Sequence, residues 1–307
     1  MFVDFYGLFP DEKLKDGSNA IIAGFSRLKN CGRVVTPTYG LDRNDDLWAP
    51  LKSVTSGFNQ GFCFRISIDD LDDKSEETWS QIIERTSDMA LSPSEVDIVI
   101  DLRFVGDKNE NDLKNMVIDF LAINPSASKY RSITVAGSSA LKTVGMIEKD
   151  NVGEVIRAEL RLWSALSRDV DDSLKLLFGD YGVIHPDFSD QGSSKYMNAK
   201  IRYTAGSRIL YFRGHGLIHP KTDYGQYHDL AAKVCADRRY QGANSSFGDS
   251  YVFQCARRLI KHGSPSTWVR ADMNHHISYT AQHTKRLINI FKRELSDQAA
   301  EAALDTV

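Results

Sequence analysis

The pattern of apolar and polar residues changes period along the chain, which predicts strands that alternate with helices. Residues 96–105 form a nearly continuous run of Val, Ile and Leu, typical of a parallel strand covered on both faces. In residues 110–123, Leu113, Val117 and Phe120 recur at helical spacing. The same reasoning predicts strands at 34–39, 61–68, 132–136, 174–178, 200–204 and 209–213, and helices at 75–90, 151–166, 226–237, 248–262 and 275–295.

This alternation predicts an α/β fold built on a parallel sheet. About seven or eight strands over roughly 250 residues favour an irregular TIM-like (β/α) barrel. An open, mostly parallel sheet with helices on both faces is the alternative. The short link at 205–207 predicts a hairpin, which would break the strict alternation. We expect a single domain over residues 1–295, followed by a polar C-terminal tail at 296–307.

Composition and charge narrow the classes of function. The net charge of −3 and the pI near 6.2 do not show the basic excess of a protein that coats long nucleic acid. Neither a secretory leader nor a run of about 18 apolar residues is present, so we expect a cytoplasmic protein that does not enter a membrane. The cysteines form no CxxC pair, which argues against a disulfide scaffold or a zinc ribbon. They are Cys31, Cys63, Cys235 and Cys255.

Charged residues concentrate where predicted strands end, and parallel sheets gather their binding groups at the carboxyl ends of strands. Arg202 and Arg213 lie on neighbouring strands of the predicted hairpin, where two guanidinium groups repel each other unless an anion lies between them. The alternative is that each arginine pairs with an aspartate, as Arg65 and Asp101 could do in a structural ion pair. The strand-end residues are Arg65, Asp101, Arg103, Arg202, Tyr203 and Arg213.

A second group of candidates lies in a long loop at 180–196. The string Gly-Asp-Tyr-Gly at 179–182 places Asp180 and Tyr181 between two glycines, and His185 follows. An aspartate and a histidine at this spacing could act as an acid/base pair or hold a divalent ion. Alternatively, Asp180 caps a turn and His185 binds the backbone.

Ser138 lies in the Gly-Ser-Ser segment 137–139, which we expect to open a helix. The N-terminus of a helix there could bind an anion, although serine is also the ordinary N-cap. His275 and His276 offer imidazoles without a HExxH pattern, so the sequence supports no particular metal or cofactor.

Several of these strings together resemble the phage-type "beta protein" family, over residues 20–285. The most specific are GDYG-x-x-HP at 179–186 and IRYT at 201–204, while Ala140 stands where the family pattern leads us to expect proline. The resemblance implies a phage or anti-phage setting and supplies no reaction. The matching positions are Arg65, Asp101, Arg103, Ser138, Gly179, Asp180, Tyr181, His185, Pro186, Arg202, Tyr203, Arg213, Gly214, Ser246, Gly248, Asp249, Trp268, Arg270, His275 and His276.

Three functional hypotheses follow. The first is binding of a phosphorylated or anionic ligand, such as a nucleotide or a nucleic-acid end, in a phage–host conflict. The second is metal-dependent hydrolysis of a phosphodiester or nucleotide, with Asp101, Asp180 and His185 as catalytic residues. The third is a scaffolding role beside a protein partner. The ligand-binding residues of the first hypothesis are Arg65, Arg103, Ser138, Tyr181, Arg202, Tyr203, Arg213 and His276.

Overall fold

The computed structural model describes residues 1–5, 7–187, 197–217 and 224–304, with side chains up to residue 291. The chain divides into two compact units. The first comprises Met1–Arg103, Lys108–Gly137 and Ala165–Gly179, and the second comprises Phe104–Asp107, Ser138–Ser164 and Asp180–Val307. The expectation of a single domain over residues 1–295 stays a prediction.

The strands and helices follow one another in largely the predicted order. The strands are β1 (Phe2–Val3), β2 (Thr36–Gly40), β3 (Phe62–Ser67), β4 (Val96–Phe104), β5 (Ser132–Ser138), β6 (Val152–Ile156), β7 (Leu176–Asp180), β8 (Asn198–Ala205) and β9 (Arg208–Gly216). The helices are α1 (Ala20–Asn30), α2 (Trp48–Phe58), α3 (Ser75–Asp88), α4 (Glu110–Ile123), α5 (Ala158–Asp169), α6 (Gln226–Ala236), α7 (Phe247–Ala256) and α8 (Pro265–Leu304). Among the described helices, none combines the length and apolar character that a membrane span requires.

The first unit is built around a six-stranded parallel sheet, in the order β1-β2-β3-β4-β5-β7. Ile98 and Ile100 of β4 are fully buried, because helices cover the sheet. The sheet curls into a half-barrel and stays open. The α/β prediction is therefore confirmed in its open-sheet form, and the closed barrel is wrong. The barrel prediction counted the strands of the hairpin, which join a different sheet.

That second sheet is antiparallel, with the order β6-β9-β8, and the predicted hairpin of β8 and β9 is confirmed. The predicted helix at 151–166 is wrong at its start, because β6 comes first and α5 begins only at Ala158. The apolar residues of this segment fit the period of a helix and that of a strand. Pairing with β9, for example of Val155 with Ile209, makes the segment a strand.

Helix α8 closes the outer edge of β8. An edge strand exposes unpaired backbone groups, and here side chains of one helix face satisfy them. The contacts are the Arg202 N–H to Asp272 Oδ2 (3.1 Å), His275 Nε2 to the Thr204 carbonyl oxygen (2.9 Å) and the Gly206 N–H to the Tyr279 hydroxyl (2.7 Å). The helix thereby holds the hairpin that carries most of the candidate site.

Candidate functional site

At the carboxyl end of β4, Asp101 is held between two arginines. Its Oδ2 accepts hydrogen bonds from Arg65 Nε (2.9 Å) and Nη2 (2.6 Å), and its Oδ1 accepts one from the backbone N–H of Arg103 (2.9 Å). Arg103 has a φ of 54°, a left-handed conformation that is strained for a residue other than glycine. Arg65 is thus paired with Asp101, as the structural alternative predicts, while a ligand-binding role for Arg65 and Arg103 stays a prediction.

Three basic residues share one face of the β8–β9 hairpin, which we call the basic face: Lys200, Arg202 and Arg213. Lys200 lies directly opposite Arg213, and Arg202 lies opposite Tyr211 on the same face. The placement of Arg202 and Arg213 on neighbouring strands is therefore confirmed. Lys200 was missed, although its position two residues before Arg202 puts it on the same side of a strand.

The basic face holds more hydrogen-bond donors than acceptors. Arg202 Nη1 lies 3.4 Å from Asp272 Oδ2, and Arg213 Nη1 donates to the carbonyl oxygens of Gly145 (3.2 Å) and Ile147. The Nε atoms of Arg202 and Arg213 are both buried and meet no acceptor in the described part of the chain. A buried donor without an acceptor costs about 1–3 kcal/mol. An acceptor bound at this face would remove that cost.

Burial shifts the pKa values of two groups at this face. It raises the pKa of Asp272 to about 7, against the opposing charge of Arg202. Burial, helped by the charge of Arg202, lowers the pKa of Lys200 to about 8. The basic face therefore keeps a net positive charge at neutral pH, even with Asp272 ionised.

The raised pKa of Asp272 predicts a pH-dependent stability. The folded protein keeps a proton on Asp272 that the unfolded chain releases near pH 4. The stabilisation is full below that pH and is lost as the pH rises through about 7. We expect the free energy of unfolding of the wild type to fall over this range relative to that of Asp272→Asn. Urea unfolding across the pH range measures the difference, and parallel curves for the two proteins would contradict it.

A second cluster surrounds Asp180. Its Oδ2 accepts hydrogen bonds from Arg157 Nη2 (2.9 Å) and His276 Nε2 (2.8 Å), and its Oδ1 accepts one from the Gly182 N–H (2.9 Å). Burial alone would raise the pKa of Asp180, but the hydrogen bond and charge of His276, together with Arg157, lower it. Asp180 is therefore an ionised carboxylate that caps a turn, and its histidine partner is His276 rather than His185.

Arg157 also contacts a second carboxylate. Its Nε lies 3.3 Å from Glu159 Oε1, and Glu159 is hydrogen-bonded to Ser139, whose hydroxyl accepts from the Ala158 N–H (2.8 Å). Burial raises the pKa of Glu159, which favours its protonated form. Arg157 is fully buried, so it depends mainly on the ionised Asp180 to balance its charge.

A third cluster surrounds Asp249 at the start of α7. Asp249 accepts hydrogen bonds from the Tyr203 hydroxyl (2.7 Å), His275 Nδ1 (2.9 Å) and the Ser246 hydroxyl (2.6 Å). Both ring nitrogens of His275 lie within hydrogen-bond distance of an oxygen, Nδ1 of Asp249 Oδ2 and Nε2 of the Thr204 carbonyl oxygen. Tyr203 is thus part of a buried structural network, on the face of β8 opposite to Arg202.

The remaining candidates have mainly local contacts. His185 Nδ1 accepts from the Asp187 N–H (3.0 Å), which is the backbone contact of the alternative prediction. Ser138 Oγ accepts from the Ala140 N–H (3.1 Å). No α-helix opens at this point, since the next one is α5, so the predicted helix N-terminus at Ser138 is wrong. Tyr181 is half-buried.

Sequence reasoning missed Arg157 and Asp272. The predicted helix at 151–166 hid Arg157, which lies at the junction of β6 and α5. Asp272 gives no local signal, because its partner Arg202 is 70 positions away. Among the described residues, no group of three or more His, Cys, Asp or Glu side chains could hold a metal ion.

The basic face and the groups of contacts around Asp101, Asp180 and Asp249 fall within the part of the chain that matches a known family. The family model described as "Beta protein" matches residues 1–282. The chain belongs to the Beta protein family. Searches of curated proteins and of solved structures find no match for this Beta protein family member. Its membership confirms the resemblance seen in the sequence.

Proposed function

We propose that this Beta protein family member binds the anionic group of a ligand, a phosphate or a carboxylate, at the basic face. The observation that carries the proposal is the pair of buried Nε atoms of Arg202 and Arg213, which meet no acceptor among the described residues. An oxyanion offers several acceptor atoms to such donors at once, and guanidinium groups match its geometry.

The charges of the basic face support this assignment. Lys200, Arg202 and Arg213 carry three positive charges, and within the described part of the chain the carboxylate bonded to one of them, Arg202, is Asp272. A bound anion would offset their mutual repulsion and restore the pKa of Lys200 towards its ordinary value. Lys200 is partly exposed, so a ligand can reach this face from solvent.

The ligand we favour is a nucleotide or the phosphorylated end of a nucleic acid, bound in the cytoplasm. A protein with a net charge of −3 is a poor binder of a long polyanion, whereas a few neighbouring basic side chains are enough to bind a terminal phosphate. Membership of the Beta protein family supports a phage- or anti-phage-associated role. In that setting, the protein would sense a phosphorylated molecule.

The test measures the melting temperature with inorganic phosphate, a panel of nucleotides, and citrate as a carboxylate probe, all at one ionic strength set with sodium chloride. We expect at least one phosphorylated compound to raise the melting temperature, because binding to the folded state stabilises it. Lys200→Met should weaken binding about tenfold or more, since one charge-assisted contact is worth roughly 1.5–3 kcal/mol.

Lys261→Met removes an exposed lysine of the same unit and should leave binding unchanged. The double variant Arg202→Ala with Arg213→Ala should abolish the shift. Both arginines are buried, so their replacement could also destabilise the fold. The decisive variant is therefore Lys200→Met, at a partly exposed position. A wild-type protein that no anion stabilises, or a Lys200→Met variant that binds like wild type, would contradict the proposal.

A further inference from the structure

The two outer edges of the three-stranded sheet differ. Helix α8 covers the edge of β8, whereas within the described residues no strand or helix pairs with the outer edge of β6. Two backbone hydrogen bonds join the ends of β6 to β9: the Arg213 N–H donates to the Asn151 carbonyl oxygen (3.0 Å), and the Arg157 N–H donates to the Ser207 carbonyl oxygen (2.8 Å). The backbone groups of the odd-numbered residues of β6 therefore face β9, and those of residues 152, 154 and 156 point away from it.

A cavity of about 800 Å³ lies beside this edge, and β6 forms one of its walls. Its volume is in the range of cavities that enclose large apolar groups. Met146 on its rim is 82% exposed, which is unusual for a large apolar side chain. The apolar lining residues are Phe104, Leu141, Met146, Ile147, Val152 and Val155.

The charges around the cavity have one sign. Asp107 and Glu148 line it, are exposed, and form no ion pair with any described residue. A third lining carboxylate, Glu154, is neutralised by Arg208 (2.7 Å) and Arg239 (2.8 Å). No lysine or arginine lines the cavity in the part of the chain that is described. A positively charged occupant is therefore favoured over a negatively charged one.

We propose that the outer edge of β6 accepts an extended segment of a partner protein as a fourth strand. An apolar side chain of the segment enters the cavity, and a neighbouring lysine or arginine faces Asp107 and Glu148. A row of backbone donors and acceptors at strand spacing fits a polypeptide better than a small molecule. A second copy of this chain fits poorly, because it would bring the same two carboxylates against each other. This surface adjoins the proposed anion site, because Arg213 is bonded to Ile147 and Asn151 of the cavity lining, but it takes a different kind of ligand.

The test uses short synthetic peptides of alternating Val and Thr with a central Leu, flanked by Lys in one set and by Glu in the matched set. Fluorescence anisotropy should show binding of the Lys-flanked peptide and weaker binding of its Glu-flanked counterpart. A peptide with Ser in place of the central Leu should bind at least tenfold more weakly, because it leaves the cavity unfilled. Hydrogen exchange should show slower exchange of the amides of Val152, Glu154 and Ile156 in the complex.

Two sets of variants separate the parts of the proposal. Asp107→Asn with Glu148→Gln should reduce the preference for Lys-flanked peptides by about fivefold, since each exposed pair contributes up to roughly 1 kcal/mol. Val155→Trp should fill the cavity and remove the dependence on the central Leu. Glu84→Gln, an exposed residue of α3, serves as the neutral control for charge removal.

Three outcomes would overturn the proposal. The first is that no peptide of either set binds. The second is binding that leaves the exchange of the three β6 amides unchanged, because the ligand would then occupy the cavity without extending the sheet. The third is protection of these amides by self-association of the protein alone, which would make a second copy the occupant. The two tests use different probes, and Lys200→Met changes neither β6 nor the cavity lining, so either proposal can fail without the other.

Discussion

Replacing Arg157 with methionine is expected to lower the free energy of unfolding by about 3–5 kcal/mol. The side chain is fully buried and bonded to Asp180 at 2.9 Å. Methionine fills a similar volume but leaves the ionised carboxylate of Asp180 without its arginine partner. An uncompensated buried charge is among the most destabilising changes in a folded protein. Urea unfolding at neutral pH measures the loss.

The double variant Arg157→Met with Asp180→Asn should recover part of that loss, because it removes both charges of the pair. Arg33→Met, at an exposed position, should change the stability by no more than about 0.5 kcal/mol. An Arg157→Met protein as stable as the wild type would show that the pair contributes nothing to folding.

Asp249→Ala is expected to cost about 3 kcal/mol or more, because three donors lose their acceptor at once. His275 Nδ1, which is buried, would lose the carboxylate oxygen to which it is hydrogen-bonded. Tyr203 and Ser246 would each lose a hydrogen bond as well. Thermal and urea unfolding report the change.

Ser246→Ala provides the matched comparison, since it removes one donor to Asp249 and the N-cap of α7 while leaving the contacts of Tyr203 and His275 with Asp249 intact. Its expected cost is about 1 kcal/mol. Equal losses for the two variants would mean that the cap, and not the contacts of Asp249 with Tyr203 and His275, accounts for the effect.

Elements with a strong local pattern could be predicted almost to the residue. Helix α4 spans Glu110–Ile123, as its apolar spacing predicts, and β4 differs from the prediction by one residue. Closure of the sheet could not be predicted in the same way, because it depends on which strands pair across the chain. Strand β6 shows why: its residues suit a helix as well as a strand, and its pairing with β9 decides.

The same distinction holds for the site. The contact of Arg65 with Asp101 and the shared face of Arg202 and Arg213 follow from strand ends and a hairpin, both visible locally. The partner of Asp180 does not, because His276 is 96 positions away and its contact exists only in the folded chain. Neighbouring residues of a helix point in different directions, so His275 contacts Asp249 while His276 contacts Asp180.

Because α8 covers the outer edge of β8, that edge stays uncovered during part of synthesis on the ribosome. The aspartate that covers the backbone of Arg202 is added 70 residues later, and the tyrosine that covers Gly206 is added 73 residues later. Until then, the nascent hairpin presents an open strand edge to other chains, which is a site of misassembly in multi-element proteins. Helix α8 therefore ends a period of exposure that begins when the hairpin leaves the exit tunnel.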